Sequence, residues 1–437
     1  MIDIAIQPNN SASNIAVSER SKNLNRYFQF ALLVAAAGAI YPLLYLRQYY
    51  ENSILAAFNI TSADLNSIYV VLGFVFVATY MPSGWLADKF SPKLLISFSL
   101  TVVGGTGFWY AAYPPLWQLK IIFFFWGLAA GLTFWAALVK SVKLLAKSSE
   151  QGRFFGILDG GRGLVEALLA TIGLAIFAYL MAQNPAPQQA LRPIIYMYSV
   201  ICIAIAVLIF IFLDSETKNT DGDVQEDKKI KGNLLQDLRT VAANPRLWLM
   251  AFIILTGYQL FWGTYSFSSY LQEGYGMTAV AAGVITVTKV WMRPISSVAA
   301  GFLGDKFSNE LILPLSMLLA CCGYLVLVFF PHVNHAYFLL FIVIGIGTMT
   351  YAIRGLYWSI LDGCKVPPHV IGLAIGIISM IGYLPDIFLP MINRAILNNY
   401  PGPLGFRIYY SYLAGAGLLG AVVAFYFKSL VNTHKNT

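Results

Sequence analysis

The chain has 437 residues, 58% apolar, 15% aromatic and 11% charged, with a net charge of +8 and a mean hydropathy of +0.68. A soluble globule of this size needs more polar surface, so a water-soluble enzyme is excluded and the bilayer is the expected solvent. The basic excess lies in short loops rather than in a folded basic domain, which fits orientation against lipid and excludes nucleic acid as a partner.

In chain order, residues 1–26 are polar and lack an apolar core followed by a small-residue cleavage site, so they are expected to remain as a cytoplasmic tail. Crossing ~30 Å of hydrocarbon takes ~20 helical residues. Twelve such stretches are expected at 27–50, 65–85, 94–112, 119–140, 155–181, 194–213, 246–268, 279–303, 310–330, 336–360, 370–392 and 408–427. The only long charged segment, 214–245, carries Asp221, Asp223, Glu226, Lys228 and Lys231 and separates a bundle at 27–213 from one at 246–427, with a tail at 428–437. The expected fold class is an all-α integral membrane protein with twelve transmembrane helices in two pseudo-symmetric six-helix bundles. Lys and Arg concentrate in alternate connections, which puts both termini and the linker on the cytoplasmic side.

Residues 84–91, GWLADKFS, return as GFLGDKFS at 301–308. A repeat of this kind, each copy closing an apolar segment, implies two similar membrane bundles joined in one polypeptide. Gly84, Asp88, Lys89 and Lys93, and their counterparts Gly301, Asp305 and Lys306, are candidates for a conformational gate, because an acid at a helix end beside basic residues can pair across the halves and release when they rock.

Ionisable residues inside spans are costly, at ~2.5–3.5 kcal/mol on insertion scales, and each calls for a partner or water. Lys289 and Arg293, four apart, share one helix face and need an anion opposite; Glu166 is the first candidate, and a solute is the second. Arg47 and Arg354, in the first and tenth of these helices, would enter a shared cavity from opposite bundles and could hold a carboxylate, phosphate or sulfonate by forked hydrogen bonds, unless Arg47 pairs with Glu51. Asp159 and Arg162 are expected to satisfy each other and to belong to the gate. Asp386, between Pro385 and Pro390, is the first candidate for proton coupling and Glu166 the second, since a helix broken there would free backbone groups and expose the carboxylate. Tyr45, Tyr258, Gln259, Trp262 and Tyr357 are candidate solute contacts. Cys202, Cys321, Cys322 and Cys364 read as small apolar residues, and His332 with His335 does not read as a metal site. No catalytic motif, cofactor fingerprint or nucleotide loop is present, so no cofactor and no enzymatic activity are expected.

With an inner-loop motif resembling G-x-L-a-D-[RK]-x-[GS]-x-[RK] after the second helix and a degraded copy after the eighth, the chain resembles the major facilitator superfamily. Gly84, Leu86, Ala87, Asp88, Lys89 and Lys93 fit the pattern, with Ser91 in place of the common glycine. Leu44-Tyr45-Leu46-Arg47-Gln48-Tyr49-Tyr50 and Phe90-Ser91-Pro92-Lys93 are similar to motifs of its organophosphate and organic-anion branch, although Tyr258–Gly263 supplies no arginine to complete that branch's phosphate clamp. Arg354-Gly355-Leu356-Tyr357 and the segment Ile381–Asp386 are similar to a group of bacterial transporters. The resemblance implies a monomeric secondary transporter in a bacterial inner membrane, moving a small polar, anionic organic solute by alternating access, with proton symport or exchange against a counter-ion. Efflux of an amphipathic compound and a transporter-like solute receptor are the alternatives. The G-x-x-x-G-P motif of drug antiporters lacks its proline here, which weighs against efflux.

Overall fold

The computed structural model describes residues 10–146, 151–184, 186–214, 234–329, 336–367 and 370–433. These are helical, without a strand. The helices before the linker are α1 (Asn10–Leu44), α2 (Arg47–Phe58), α3 (Ser62–Lys89), α4 (Pro92–Tyr110), α5 (Leu116–Gly127), α6 (Trp135–Leu145), α7 (Gln151–Gln183) and α8 (Pro187–Phe212). After it come α9 (Leu234–Ala242), α10 (Pro245–Gly263), α11 (Phe267–Tyr275), α12 (Ala279–Phe307), α13 (Asn309–Phe329), α14 (Ala336–Leu356), α15 (Ile371–Gly382), α16 (Pro385–Asn399) and α17 (Pro403–Thr433).

Several of these pairs form single bent runs. A π-helical stretch, Leu128–Phe134, joins α5 to α6, and a tight turn at Thr264–Ser266 joins α10 to α11. Helix α1 contains Pro42 and gives way to α2 across Tyr45 and Leu46, in keeping with proline's lost donor and ring clash. The break between α15 and α16 falls at Tyr383 and Leu384, and Pro385 opens the new helix, where its missing N–H costs nothing. Leu384 N–H donates to Ile381 O at 3.2 Å and Asp386 N–H to Tyr383 O at 3.0 Å, so tighter bonds satisfy the backbone there rather than leaving it free as expected. The turn into α3 is fixed by a reciprocal cap in which Thr61 Oγ1 accepts from Asp64 N–H and Thr61 N–H donates to the Asp64 carboxylate.

Among the described residues, ten helical runs are long and apolar enough to cross a membrane, from Asn25–Phe58 to Pro403–Val431. The expected crossings at 94–112 and 279–303 coincide with α4 and α12, which are long but less apolar. Lys289 and Arg293 lower the hydropathy of α12, and Lys93 with several Ser, Thr and Gly residues lowers that of α4. The expected linker acids and His332 and His335 lie outside the described residues.

Helices α1, α4, α7 and α8 pack on one another, as do α10, α12, α13, α14 and α17, and the two groups meet along α3 with α16 and α7 with α12. Small residues allow close approach within each group. A Cβ placed on Gly38 of α1 would come 2.6 Å from Val165 Cγ1 and 2.9 Å from the Arg162 carbonyl oxygen of α7. Since backbone cannot yield as a flexible side chain can, Gly38→Val is expected to cost ~1–3 kcal/mol and to lower the thermal unfolding midpoint of the purified protein. An unchanged midpoint would mean that α1 and α7 are not held this close.

Candidate functional site

Charged residues on the seam between the groups divide into those with charged partners and those without. At one end, that of the 59–61 connection, the seam is closed by polar contacts. Ser268 Oγ donates to the Tyr49 carbonyl at 2.8 Å, Ser269 Oγ to Asn52 Oδ1 at 2.6 Å, and Asn66 Nδ2 to Asn393 Oδ1 at 2.9 Å. Tyr45 stacks on Tyr265, 5.0 Å between centroids and 16° apart. One turn deeper, Arg293 of α12 donates to Glu166 of α7 at 2.6 Å, and Gln48 donates to the other Glu166 oxygen at 3.1 Å.

That contact places Arg293 against the acid expected for it. Asp159 also turns to Arg293, at 3.5 Å, instead of pairing with Arg162 as expected. The reason is that α12 runs directly alongside α7, so Arg293 reaches both acids of that helix. Lys289 has no acid at contact distance among the described residues. It is buried, donates to Thr264 Oγ1 at 3.2 Å and lies 5.9 Å from the Phe267 ring.

Arg47 does not face open space. It is 1% exposed and gives both oxygens of Glu51 a hydrogen bond at 3.1 Å, with a third bond to Asn66 Oδ1 at 3.0 Å. The bend at Tyr45 and Leu46 starts a new helix at Arg47, and the one-turn spacing then brings Glu51 beneath it. Gln259 is likewise committed inside its own bundle, bonding the Leu255 carbonyl and the Tyr412 hydroxyl.

Deeper in the seam the arrangement changes. Asp386, at the start of α16, accepts from Tyr258 Oη at 2.8 Å and Trp262 Nε1 at 2.7 Å, both on Oδ1. It is 3% exposed, so the helix break buries this carboxylate among α10 side chains rather than exposing it as expected. Tyr357 and Tyr383 share a hydroxyl contact at 3.1 Å, and Trp358 Nε1 donates to Tyr383 at 3.3 Å. Arg354 Cζ lies 4.3 Å from the Phe261 ring centroid and 5.8 Å from that of Tyr258. Arg162 Cζ lies 5.2 Å from Tyr41 and 5.5 Å from Trp135. Among the described residues neither has an acid at salt-bridge distance, while Asp159 lies within electrostatic range of Arg162 and Asp386 within that of Arg354. Asp159, about two turns from the start of α7, has a side chain that is 48% exposed.

The structure therefore gathers Tyr45, Tyr258, Trp262, Tyr357 and Arg354 around one seam; Arg47 reaches the same seam, 5.9 Å from the Trp262 ring, but is committed to Glu51, and Gln259 is bound inside its own bundle. Phe261 and Tyr383 join the site without having been singled out as solute contacts. Their placement depends on which face of α10 and α15 turns inward, and an all-apolar helix does not encode that in its periodicity. At the other end of the molecule, GWLADKF closes α3 and GFLGDKF closes α12. Lys140 Nζ donates to the Ala87 carbonyl at 2.7 Å there, Lys93 lies 5.4 Å from the Phe210 ring and Lys306 5.2 Å from that of Phe307. The side chains of Asp88, Lys89 and Asp305 lie outside the described residues. Gly84 and Gly301 have open space where a Cβ would stand.

The family model for the Major Facilitator Superfamily matches residues 27–390. The chain belongs to that superfamily. It is 26% identical over 409 residues to the inner membrane protein YqcE of Escherichia coli strain K12, covering 92% of this chain and 94% of that one. The nitrite extrusion protein of Bacillus subtilis strain 168 is 23% identical over 327 residues, covering 72% and 73%. Among solved structures, a bacterial homologue of the human lysosomal transporter Spinster superposes with a TM-score of 0.68 at 14% identity, covering 93% and 96%; the nucleoside transporter NupG superposes at 0.69, also at 14%, covering 93% and 99%. A superfamily of secondary transporters, and not an enzyme, is what the chain represents.

Removing one member of a buried ion pair leaves the other unpaired, which typically costs ~3–5 kcal/mol. Arg47→Met is accordingly expected to lower the unfolding midpoint sharply, and adding Glu51→Gln to recover part of the loss. Equal midpoints for wild type and Arg47→Met would place Arg47 outside a buried pair.

Proposed function

We propose that this transporter moves a small anionic organic solute by alternating access, with the solute held at Arg354. The observation that carries this reading is a guanidinium from the second bundle, at the seam, touching only aromatic rings. A cation left without an acid in a membrane interior calls for an anion or water, and Arg is suited to planar, forked binding of an oxyanion. Rings at Tyr45, Tyr258, Trp262 and Phe261 favour a solute with an organic body over a bare inorganic ion. The nitrite extrusion protein among the relatives is compatible with an anionic cargo.

The sealed end is taken to face away from the cytoplasm, with both termini inside and the protein in a bacterial inner membrane. The Glu166 to Arg293 contact and the serine and asparagine bonds form the gate at that end. The two copies of the repeated motif serve the opposite end. Asp386 is the coupling group, because it is an acid held by neutral donors alone and can gain a proton without breaking an ion pair. Glu166, held by Arg293, fits a gating role better than a proton-carrying one.

Uptake into proteoliposomes of radiolabelled organic anions, nitrate and neutral sugars, with and without an inward proton gradient, tests the reading. Accumulation of an organic anion is expected, and transport of neutral solutes alone would contradict it. In Asp386→Asn, exchange of that anion should persist while gradient-driven accumulation disappears. Accumulation that survives in this variant would remove Asp386 from coupling.

A further inference from the structure

We infer that Lys289 is the second partner of Glu166: when the sealed end opens, Arg293 passes from Glu166 to Asp159, and Lys289 takes Glu166 in its place. The inference rests on the alternating-access reading of the gate and names the residue that completes it. In the sealed arrangement Arg293 of α12 already touches two acids of α7, Glu166 at 2.6 Å and Asp159 at 3.5 Å. Lys289, four residues earlier on the same face of α12, has no acid at contact distance among the described residues. Its hydrogen bond goes to Thr264 Oγ1 at 3.2 Å, and the charge that reaches it is that of Glu166.

The order of these groups along the seam gives the exchange its direction. Helices α7 and α12 run antiparallel: Trp291 Nε1 donates to Thr171 Oγ1 at 3.0 Å, and Arg293 Cδ stands against Gly163, where a Cβ would come within 3.0 Å of it. The C-terminal end of α7 lies at the sealed end, since Gln188 Nε2 just beyond it donates to the Ala57 carbonyl at 3.3 Å. Lys289 therefore stands about one turn nearer the sealed end than Arg293, and Asp159 about two turns farther from it than Glu166. When the sealed end parts, the opposite halves of α7 and α12 approach, which carries Arg293 toward Asp159. Glu166 is then left facing the opening end, beside a lysine with no acid of its own.

Two glycines clear the paths. Gly163 lies between Asp159 and Glu166 on α7, so the Arg293 stem crosses bare backbone in passing from one acid to the other. Gly347 of α14 lies against the Lys289 stem, where a Cβ would overlap Lys289 Cγ. A lysine suits the second role, being a compact charge on a flexible stem whose bond to a neutral hydroxyl is weaker than one to a carboxylate. Without it, opening would strand Glu166 as an unpaired charge, which is the costly outcome of breaking a buried pair. With it, both acids keep a cation in both arrangements, and neither state is strongly disfavoured.

Carbodiimide coupling in membrane vesicles tests this on the wild type. The reagent activates a carboxylate and leaves as a urea when an amine within reach forms the amide, so Glu166 joins Lys289 only where the two meet; arginine does not react. Linked Glu166–Lys289 peptide is expected to accumulate with time, to be absent in Glu166→Gln, and to rise roughly tenfold in Arg293→Met, where the competing cation is gone. With spin labels at positions 60 and 399, on opposite bundles near the sealed end, the linked protein should show a longer distance than the unlinked protein. A linked protein that keeps the short distance would mean that Lys289 meets Glu166 with the end sealed, which overturns the exchange. Added glycine ethyl ester reports whether Glu166 is reached at all. Glu166 that takes the ester but never joins Lys289 overturns the exchange and leaves the gate standing, whereas Glu166 that takes neither defeats the gate reading as well.

Discussion

The Arg293 to Glu166 ion pair ties α12 of one bundle to α7 of the other, and much of the seam is arranged around it. Buried ion pairs add little net stability, because the cost of stripping water from two charges consumes most of the attraction. That near balance suits a contact that has to open. When the bundles separate at this end, water returns to both groups and offsets the lost attraction, whereas a purely apolar contact of the same area would resist separation. Gln48 steadies Glu166 from its own bundle, and Asp159, about two turns away on the same helix, gives Arg293 a second acid.

Beyond this pair, the seam is an aromatic frame holding charge. Tyr and Trp side chains present apolar faces to helices and solute while their O–H and N–H groups reach Asp386 and one another. The consequence is a carboxylate fixed in place by neutral donors and two guanidinium groups left with unused ones. Lys289 belongs to the same helix face as Arg293, donates to Thr264 and lies within electrostatic range of Glu166, the acid that Arg293 contacts directly.

The architecture was largely legible in the sequence because bilayer thickness and the polar linker leave few alternatives for so apolar a chain. The repeated GWLADKFS and GFLGDKFS segments marked the closing ends of α3 and α12 correctly, since an acid and a lysine after an apolar run stop a membrane helix. Within the site, spacing along one helix put Arg293 opposite Glu166 and named the Arg47 to Glu51 pair as the alternative to the solute contact read first for Arg47, because that geometry is local. It failed for Asp159 and Arg162. Residues three apart on one helix can pair, but Arg293 from a neighbouring helix competes for Asp159, and helix-to-helix register is not written in either sequence segment alone. Asp386 was marked out by its flanking prolines, yet the burial of its carboxylate against Tyr258 and Trp262 depends on how α10 rotates, which apolar periodicity does not specify.

The account depends on the bundles being latched at one end through Glu166. Pulsed electron spin resonance between labels at positions 60 and 399, on opposite bundles near that end, reads the latch without knowledge of the solute. The wild type should give a predominantly short distance, and Glu166→Gln, which removes charge while keeping shape, should move population to longer distances. A short distribution unchanged in Glu166→Gln would contradict the claim that this ion pair holds the seam closed.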